Sequence, residues 1–179
     1  MTTDIVEQAR EFAIKAHAGL VRPNKAREPY HVHCKEVADL VTASGGSPEE
    51  IAAAWLHDTV EDTSTTFADI ENQFGVNVAA IVEGLTDPPD IGKFATLDRK
   101  RFQADRVRNE SDSIKRVKLA DQTSNVRSVA VDPPTKWTEQ KCIDYVTGAG
   151  FIAHECHGIS TYLDVEFDKA YVAALRAHS

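Results

Sequence analysis

In successive segments between residue 4 and residue 177 the apolar side chains recur three and four positions apart, and no stretch of any length alternates apolar with polar as a half-buried strand would. Ile5, Ala9, Phe12, Ala13 and Ala16 form one helical stripe over residues 4–18. His33, Val37, Leu40 and Val41 form another, which ends at about Ala43 before Gly45-Gly46 and points His33 inward. The strongest start signal is Ser47-Pro48-Glu49-Glu50: Ser47 can cap, Pro48 suits the first helical position, and Glu50 closes a capping box. A helix is therefore predicted from residue 47 through about Asp62. Others are predicted at 66–74, 76–85, 97–109, 112–129, 135–156 and 160–177, punctuated by Gly75, Pro88-Pro89 and Pro133-Pro134. With 179 residues, 42% of them hydrophobic, the chain can bury a substantial core, and no linker divides it. The reading is an all-α bundle forming a single domain over residues 1–179.

Charge and cysteine usage narrow the function classes. Twenty Lys and Arg against 28 Asp and Glu leave a formal net charge of −8, which argues against a nucleic-acid backbone or an anionic membrane as the main partner. The cysteines Cys34, Cys142 and Cys156 form no CxxC pair, and an odd number leaves no complete disulfide framework, so a reducing cytoplasm is expected. No export signal or membrane-spanning run is visible.

The chemistry concentrates in Ala52-Ala53-Ala54-Trp55-Leu56-His57-Asp58-Thr59-Val60-Glu61-Asp62. On one continuous helix, His57, Asp58, Glu61 and Asp62 share an arc, and the apolar face lies beside it. Carboxylates crowded next to an apolar interior repel one another and lose solvation unless a cation holds them. Downstream, Val117-Lys118-Leu119-Ala120-Asp121 sets a carboxylate in an apolar stretch, with Asn125 on the same face; upstream, His33 also faces inward. Two imidazoles and two carboxylates from three helices, His33, His57, Asp58 and Asp121, would make a mixed N/O set in a bundle core. Such a set suits Mn²⁺, Fe²⁺, Co²⁺ or Zn²⁺ rather than Ca²⁺.

A separate His, then His-Asp, then a distant Asp resembles the HD superfamily of metal phosphohydrolases. More narrowly, HDTVEDT, Gln73-Phe74-Gly75, Gly84-Leu85-Thr86-Asp87, VKLAD with Asn125, and PYxxH at Pro29–His33 resemble the hydrolase domain of the RelA/SpoT family. Within that family the chain is similar to the stand-alone small alarmone hydrolases, the metazoan SpoT homologue among them. The similarity covers a motif core of about residues 17–145, with the C-terminal helices at about 135–177. It implies one HD-domain helical bundle with a mononuclear metal site held by His33, His57, Asp58 and Asp121, with Mn²⁺ as the cofactor. It further implies that Glu61 and Asp62 are the catalytic acidic pair, and that Arg22, Asn125 and Tyr145 contact substrate. Lys25, another basic group of the irregular Gly19–Tyr30 loop, is a further candidate contact. Leu20, Pro23 and Cys34 depart from the residues usual in the family and leave the metal set intact.

The implied reaction is hydrolysis of the 3′-pyrophosphate of guanosine tetra- or pentaphosphate to GDP or GTP and pyrophosphate, by a cytoplasmic enzyme that only removes alarmone. Another HD phosphohydrolase activity, on NADPH or a nucleotide, is the alternative, and a module that binds nucleotide without cutting it is a second. For a polyanionic substrate, residues 93–118 matter: nine Lys and Arg (Lys93, Arg99, Lys100, Arg101, Arg106, Arg108, Lys115, Arg116, Lys118) against Asp98, Asp105, Glu110 and Asp112 give a local +5 in a chain of net −8. Helical periodicity cannot aim all nine at one pocket, but a few near the VKLAD helix are placed to grip phosphate. His154, Cys156 and His157 are read as structural rather than as a zinc site, because no second ligand pair is spaced to match. His17 is read as a helix-end residue and Trp55 as core or interface.

Overall fold

The computed structural model describes residues 4–178; residues 1–3 and 179, the outermost positions of the expected domain, lie outside it. Among the described residues ten α-helices follow in order: α1 Ile5–Ala16, α2 His31–Ala43, α3 Pro48–Leu56, α4 Thr59–Asp62, α5 Phe67–Phe74, α6 Val76–Leu85, α7 Thr96–Val107, α8 Asp112–Val131, α9 Glu139–Cys156 and α10 Thr161–Ala177. A single 3₁₀ turn, Ile91–Lys93, precedes α7. Among the described residues the only β pairing is an isolated bridge between Val21 and Pro29, which narrows the loop between α1 and α2. The all-α expectation therefore holds, and among the described residues no helix is long and apolar enough to cross a membrane.

The helix starts follow local chemistry. Ser47 Oγ accepts from the Glu50 N–H at 3.2 Å, and Glu50 Oε2 accepts from the Ser47 N–H at 2.8 Å, the reciprocal box read from the sequence. Thr66 and Asp69 build a second box ahead of α5, and Ser111, Thr138 and Ser160 cap α8, α9 and α10. Gly75 separates α5 from α6 with φ +87°, a conformation that costs a residue bearing Cβ.

One expectation is corrected. The helix predicted from 47 through Asp62 stops at Leu56, turns at His57 and Asp58, and resumes as α4. Side chains compete there for the carbonyls that would continue the ladder. His57 Nδ1 lies 2.8 Å from the Ala54 carbonyl oxygen, and Thr59 Oγ1 donates to the Leu56 carbonyl at 2.7 Å. The break re-aims His57 and Asp58 without moving them out of the core.

Helix α8 lies at the centre, packed against α2, α3, α6, α9 and α10. Because it is covered on several sides, even Asp121, Gln122, Thr123 and Ser124 are buried, and each needs a polar partner inside the protein. The core around it is built from small and branched residues such as Ala52, Ala53, Leu56, Val82, Val117, Leu119, Val126 and Ile152. Trp55 belongs to that core at 6% exposure. His17 ends α1, fully packed, with Nδ1 2.9 Å from the Ala13 carbonyl oxygen and its ring stacked on Tyr30 at 5.0 Å.

Candidate active site

Three segments converge on one point. α2 brings His33 from its first turn, the break after α3 brings His57 and Asp58, and the middle of α8 brings Asp121. His33 Nε2 lies 3.6 Å from Asp58 Oδ2 and 3.3 Å from Asp121 Oδ1. His57 Nε2 lies 3.0 Å and 3.6 Å from the same two atoms. Both Nε2 atoms are buried and have no hydrogen-bond partner. The Nδ1 of His57 faces a carbonyl, which only accepts, so it carries a proton, and Nε2 is the ring atom turned to the two carboxylates. Two buried carboxylates facing each other across imidazole nitrogens repel unless a positive charge lies among them, and a cation at their centre removes the conflict. Donor atoms of His33, His57 and Asp58 all lie within 4.8 Å of one another, and Asp121 reaches the same point from α8. The donor set therefore fits a divalent cation.

The charges agree with this geometry. Burial disfavours the charged form of His57, but the carboxylates of Asp58 and Asp121 outweigh it and raise its pKa well above the ordinary range. Burial likewise opposes ionisation of Asp58 and Asp121; for Asp58 the His57 charge, and for Asp121 the two facing imidazoles and then the Lys118 charge, hold the carboxyl far below its usual value. Surrounding groups fix the carboxylates in place. Tyr30 donates its hydroxyl to Asp58 Oδ2 at 2.8 Å; Asn125 Nδ2 donates to Asp121 Oδ1 at 2.6 Å, and Gln122 Nε2 to Asp121 Oδ2 at 2.8 Å.

A cavity of about 330 Å³ lies at this cluster, lined by His57, Asp58, Glu61 and Asp121 together with Arg99, Lys100 and Lys118. Glu61 lines it, and its Oε1 accepts the backbone N–H of Asp87 at 2.5 Å. Loss of hydration at the carboxylate, and then the negative charge of Asp58, push its pKa up to about 7. Asp62 is raised in the same way, by desolvation and then by Asp58. It lies beside Tyr30 rather than on the cavity wall. Asp87 is itself clamped by Gln103 and Arg106.

Of the expected substrate contacts, Asn125 and Tyr145 line the cavity. Arg22 stands behind Asn125, donating to its Oδ1 at 3.1 Å, and faces a neighbouring cavity of about 350 Å³ that also touches His33. Lys25 is not brought to the cluster. Its backbone N–H donates to Asp132 Oδ1 at 3.1 Å near the end of α8, its side chain is exposed, and it borders neither cavity.

Lys100 is the residue that sequence reasoning left undistinguished among nine basic ones. It is 2% exposed, donates to Gln122 Oε1 at 2.6 Å, and holds Nζ 4.0 Å from the centre of the Tyr145 ring. Gly148 makes the place for it, since a Cβ there would meet Lys100 Cβ and Cγ at 2.5 Å. Burial, and then the charge of Lys118, lower its pKa to about 7. Lys118 goes the other way: burial opposes its charge, but Asp121 and the other carboxylates of the site raise its pKa. Most of the remaining basic residues of 93–118 pair elsewhere, Lys93 with Asp90, Arg101 with Asp98, Arg108 with Glu155 and Arg116 with Glu50.

Comparison with known proteins points the same way. A protein-family model described as an HD domain matches residues 9–145. The guanosine-3′,5′-bis(diphosphate) 3′-pyrophosphohydrolase MESH1 of Xenopus tropicalis is 34% identical over 170 residues, covering 94% of this chain and 93% of its own. Its human counterpart is 34% identical over 159 residues, covering 88% and 87%. A solved structure described as a metazoan ortholog of SpoT that hydrolyzes ppGpp superposes with a TM-score of 0.86 at 27% identity, over 96% of both chains.

Proposed function

The chain belongs to the HD-domain family, and from that premise we infer that it is a guanosine-3′,5′-bis(diphosphate) 3′-pyrophosphohydrolase, which releases pyrophosphate from ppGpp. The observation that carries the reading is the meeting of two unpartnered imidazole Nε2 atoms with Asp58 and Asp121, at a cavity lined both by Glu61 and by Arg99, Lys100 and Lys118. An HD domain implies a divalent metal, and His33, His57, Asp58 and Asp121 are the residues that would hold it, one ion per chain. Two imidazole nitrogens with carboxylate oxygens favour Mn²⁺ over the all-oxygen preference of Ca²⁺. Bound there, the ion would supply an acidified water and a positive charge beside a phosphoryl oxygen.

The chain's own residues account for the rest. Glu61, with its raised pKa and its place on the cavity wall, takes the proton from the attacking water, and the Asp87 N–H keeps its carboxylate aimed. Hydrolysis forms one phosphorus–oxygen bond from water and breaks the one to the 3′ oxygen, which leaves with the proton that Glu61 took; Asp62, beside Glu61 on α4 and off the cavity wall, supports that transfer. Lys100, Lys118 and Arg99 meet the phosphate charge, Asn125 and Tyr145 border the nucleotide, and Arg22 holds Asn125 in place. The free cysteines Cys34, Cys142 and Cys156 are all buried, which suits a reducing cytoplasm. The substrate is a small nucleotide; the net charge of −8 favours neither nucleic acid nor membrane as a partner.

The relatives are named for guanosine tetraphosphate hydrolysis, and the NADPH or nucleotide alternative is not favoured. The deciding assay offers the purified protein ppGpp, NADPH and nucleoside triphosphates with a panel of divalent metals. Release of pyrophosphate and GDP from ppGpp, strongest with Mn²⁺, is expected; cleavage of NADPH or a triphosphate with ppGpp untouched overturns the reading.

A further inference from the structure

The two histidines of the cluster are oriented by different means. His57 Nδ1 is tied to the Ala54 carbonyl, a backbone feature of α3. His33 Nδ1 instead meets a side chain, Ser124 Oγ on α8, at 2.9 Å. A serine hydroxyl has one hydrogen, and that of Ser124 goes to Glu36 Oε2 at 2.7 Å. A carboxylate only accepts, so the serine oxygen has only lone pairs to offer His33. His33 Nδ1 therefore carries the ring proton, and Nε2 faces Asp58 and Asp121 with its lone pair. Glu36 is held in turn by Arg127, whose Nη1 donates to Oε1 at 3.0 Å and whose Nη2 donates to Glu166 on α10. One line of hydrogen bonds thus runs from the buried cluster to the half-exposed edge where α2, α8 and α10 meet.

We propose that Ser124 and Glu36 are positioning residues for the metal centre, fixing the tautomer and aim of His33 and so setting the affinity for the divalent cation. The proposal rests on the reading of His33 as a ligand. Packing alone does not require this arrangement: Ser124 is 1% exposed, and alanine would fill the same space. What the hydroxyl adds is a polarised acceptor. Backed by a carboxylate, it strengthens as a hydrogen-bond partner of the Nδ1–H and makes the opposite nitrogen a better donor to a cation.

The test is a titration of the metal-free protein with Mn²⁺, following the electron paramagnetic resonance signal of the free ion, for wild type, Ser124→Ala, Glu36→Gln, the double variant and His33→Ala. Thermal unfolding of each metal-free protein is recorded alongside. Ser124→Ala is expected to weaken binding about tenfold or more, the size usual for loss of a group behind a ligand. Glu36→Gln is expected to weaken it less, and to add nothing once Ser124 is alanine, because the carboxylate acts through the hydroxyl. Strictly additive losses that track the unfolding temperature would mean a merely structural role and overturn the proposal. So would Ser124→Ala binding within about twofold of wild type. If wild type binds no Mn²⁺, or His33→Ala binds as wild type does, the ligand assignment itself falls and takes this inference with it; the two failures are therefore distinguishable.

Discussion

The hydroxyl of Tyr30 donates to Asp58 Oδ2 at 2.8 Å, which joins the first residue ahead of α2 to the turn that follows α3. Burial, and then the charges of Asp58 and Asp62, drive the phenol pKa far upward, so this group donates and does not ionise. Its ring is braced from behind by the stacked ring of His17, 5.0 Å away. Tyr30→Phe keeps the ring and deletes only the donor. The expected stability loss is about 1 kcal/mol, the ordinary worth of one such bond, whereas Mn²⁺ affinity should fall by roughly ten- to a hundredfold. Calorimetric titration with the metal and a thermal melt separate the two; equal affinity in both proteins would show that Asp58 needs no such anchor.

Glu61 and Asp62 both sit where their charge is unfavourable, since the pKa of each is raised. A carboxyl whose folded pKa exceeds its unfolded one opposes folding above the unfolded value, and the full penalty is present once pH has passed the folded value. For Glu61 that window closes at about 7. Because both side chains reach solvent, the effect on stability is small, and its sign is the prediction. Glu61→Gln and Asp62→Asn should melt slightly higher than wild type at pH 8 without metal, retain Mn²⁺ binding, and lose turnover by about a hundredfold or more. Wild-type rates in both variants would remove the acidic pair from the mechanism.

The same titration shapes the rate profile. Glu61 is protonated below about 7 and is a base above it, so kcat/KM should rise with pH through that value. The residual activity of Glu61→Gln should lack that rising limb. A limb of unchanged position in the variant would assign it to another group.

Most of the fold could be read from the sequence because its signals are local. Helical spacing, the Ser47–Glu50 box and Gly75 each act within a few residues, and the helices begin and end near where those signals stand. The break at His57 and Asp58 was not legible. Apolar spacing continues straight across it, and its cause lies in how His57 and Thr59 spend their polar atoms on backbone carbonyls. The donor set was legible as a pattern of residue types that makes sense only around a cation. Lys100 was not, because its burial depends on Gly148 in another helix; nor was the link from Ser124 to Glu36, which spans 88 positions. The placement of Lys25 was not legible either, because a basic residue in a loop next to the cluster need not face it, and here Asp132 holds the loop backbone toward the end of α8.

A lysine 2% exposed, with its pKa lowered to about 7, is costly to the empty protein and useful to one binding phosphate. A base whose folded pKa lies below its unfolded one destabilises the fold below the unfolded value, most fully once pH has dropped under the folded value. Lys100→Met keeps the chain length and removes the charge. The variant should therefore gain stability over wild type as pH falls from 9 to 6, while losing substrate affinity, with KM for ppGpp rising about tenfold or more. Melts across that pH range, set beside steady-state kinetics, check both halves. A KM that does not move would mean that Lys100 supports Tyr145 and Gln122 and never meets the phosphate.

Metal removal should expose how much of the fold depends on resolving the repulsion at the centre. Asp58 and Asp121 face each other's charge across two imidazoles, and in the metal-free state the proton drawn onto His57 is what offsets it. That substitute is monovalent and sits on one ring, so His33 Nε2 still lacks a partner. Adding Mn²⁺ at about a hundred times its Kd should stabilise the protein by about 2.7 kcal/mol through linkage alone. Asp121→Ala and Asp58→Ala should abolish that thermal shift, because each removes a donor and leaves the histidines facing a single carboxylate. Glu61→Gln should keep it. If Asp121→Ala still showed the full shift, the cation would have to be held by donors other than those four side chains.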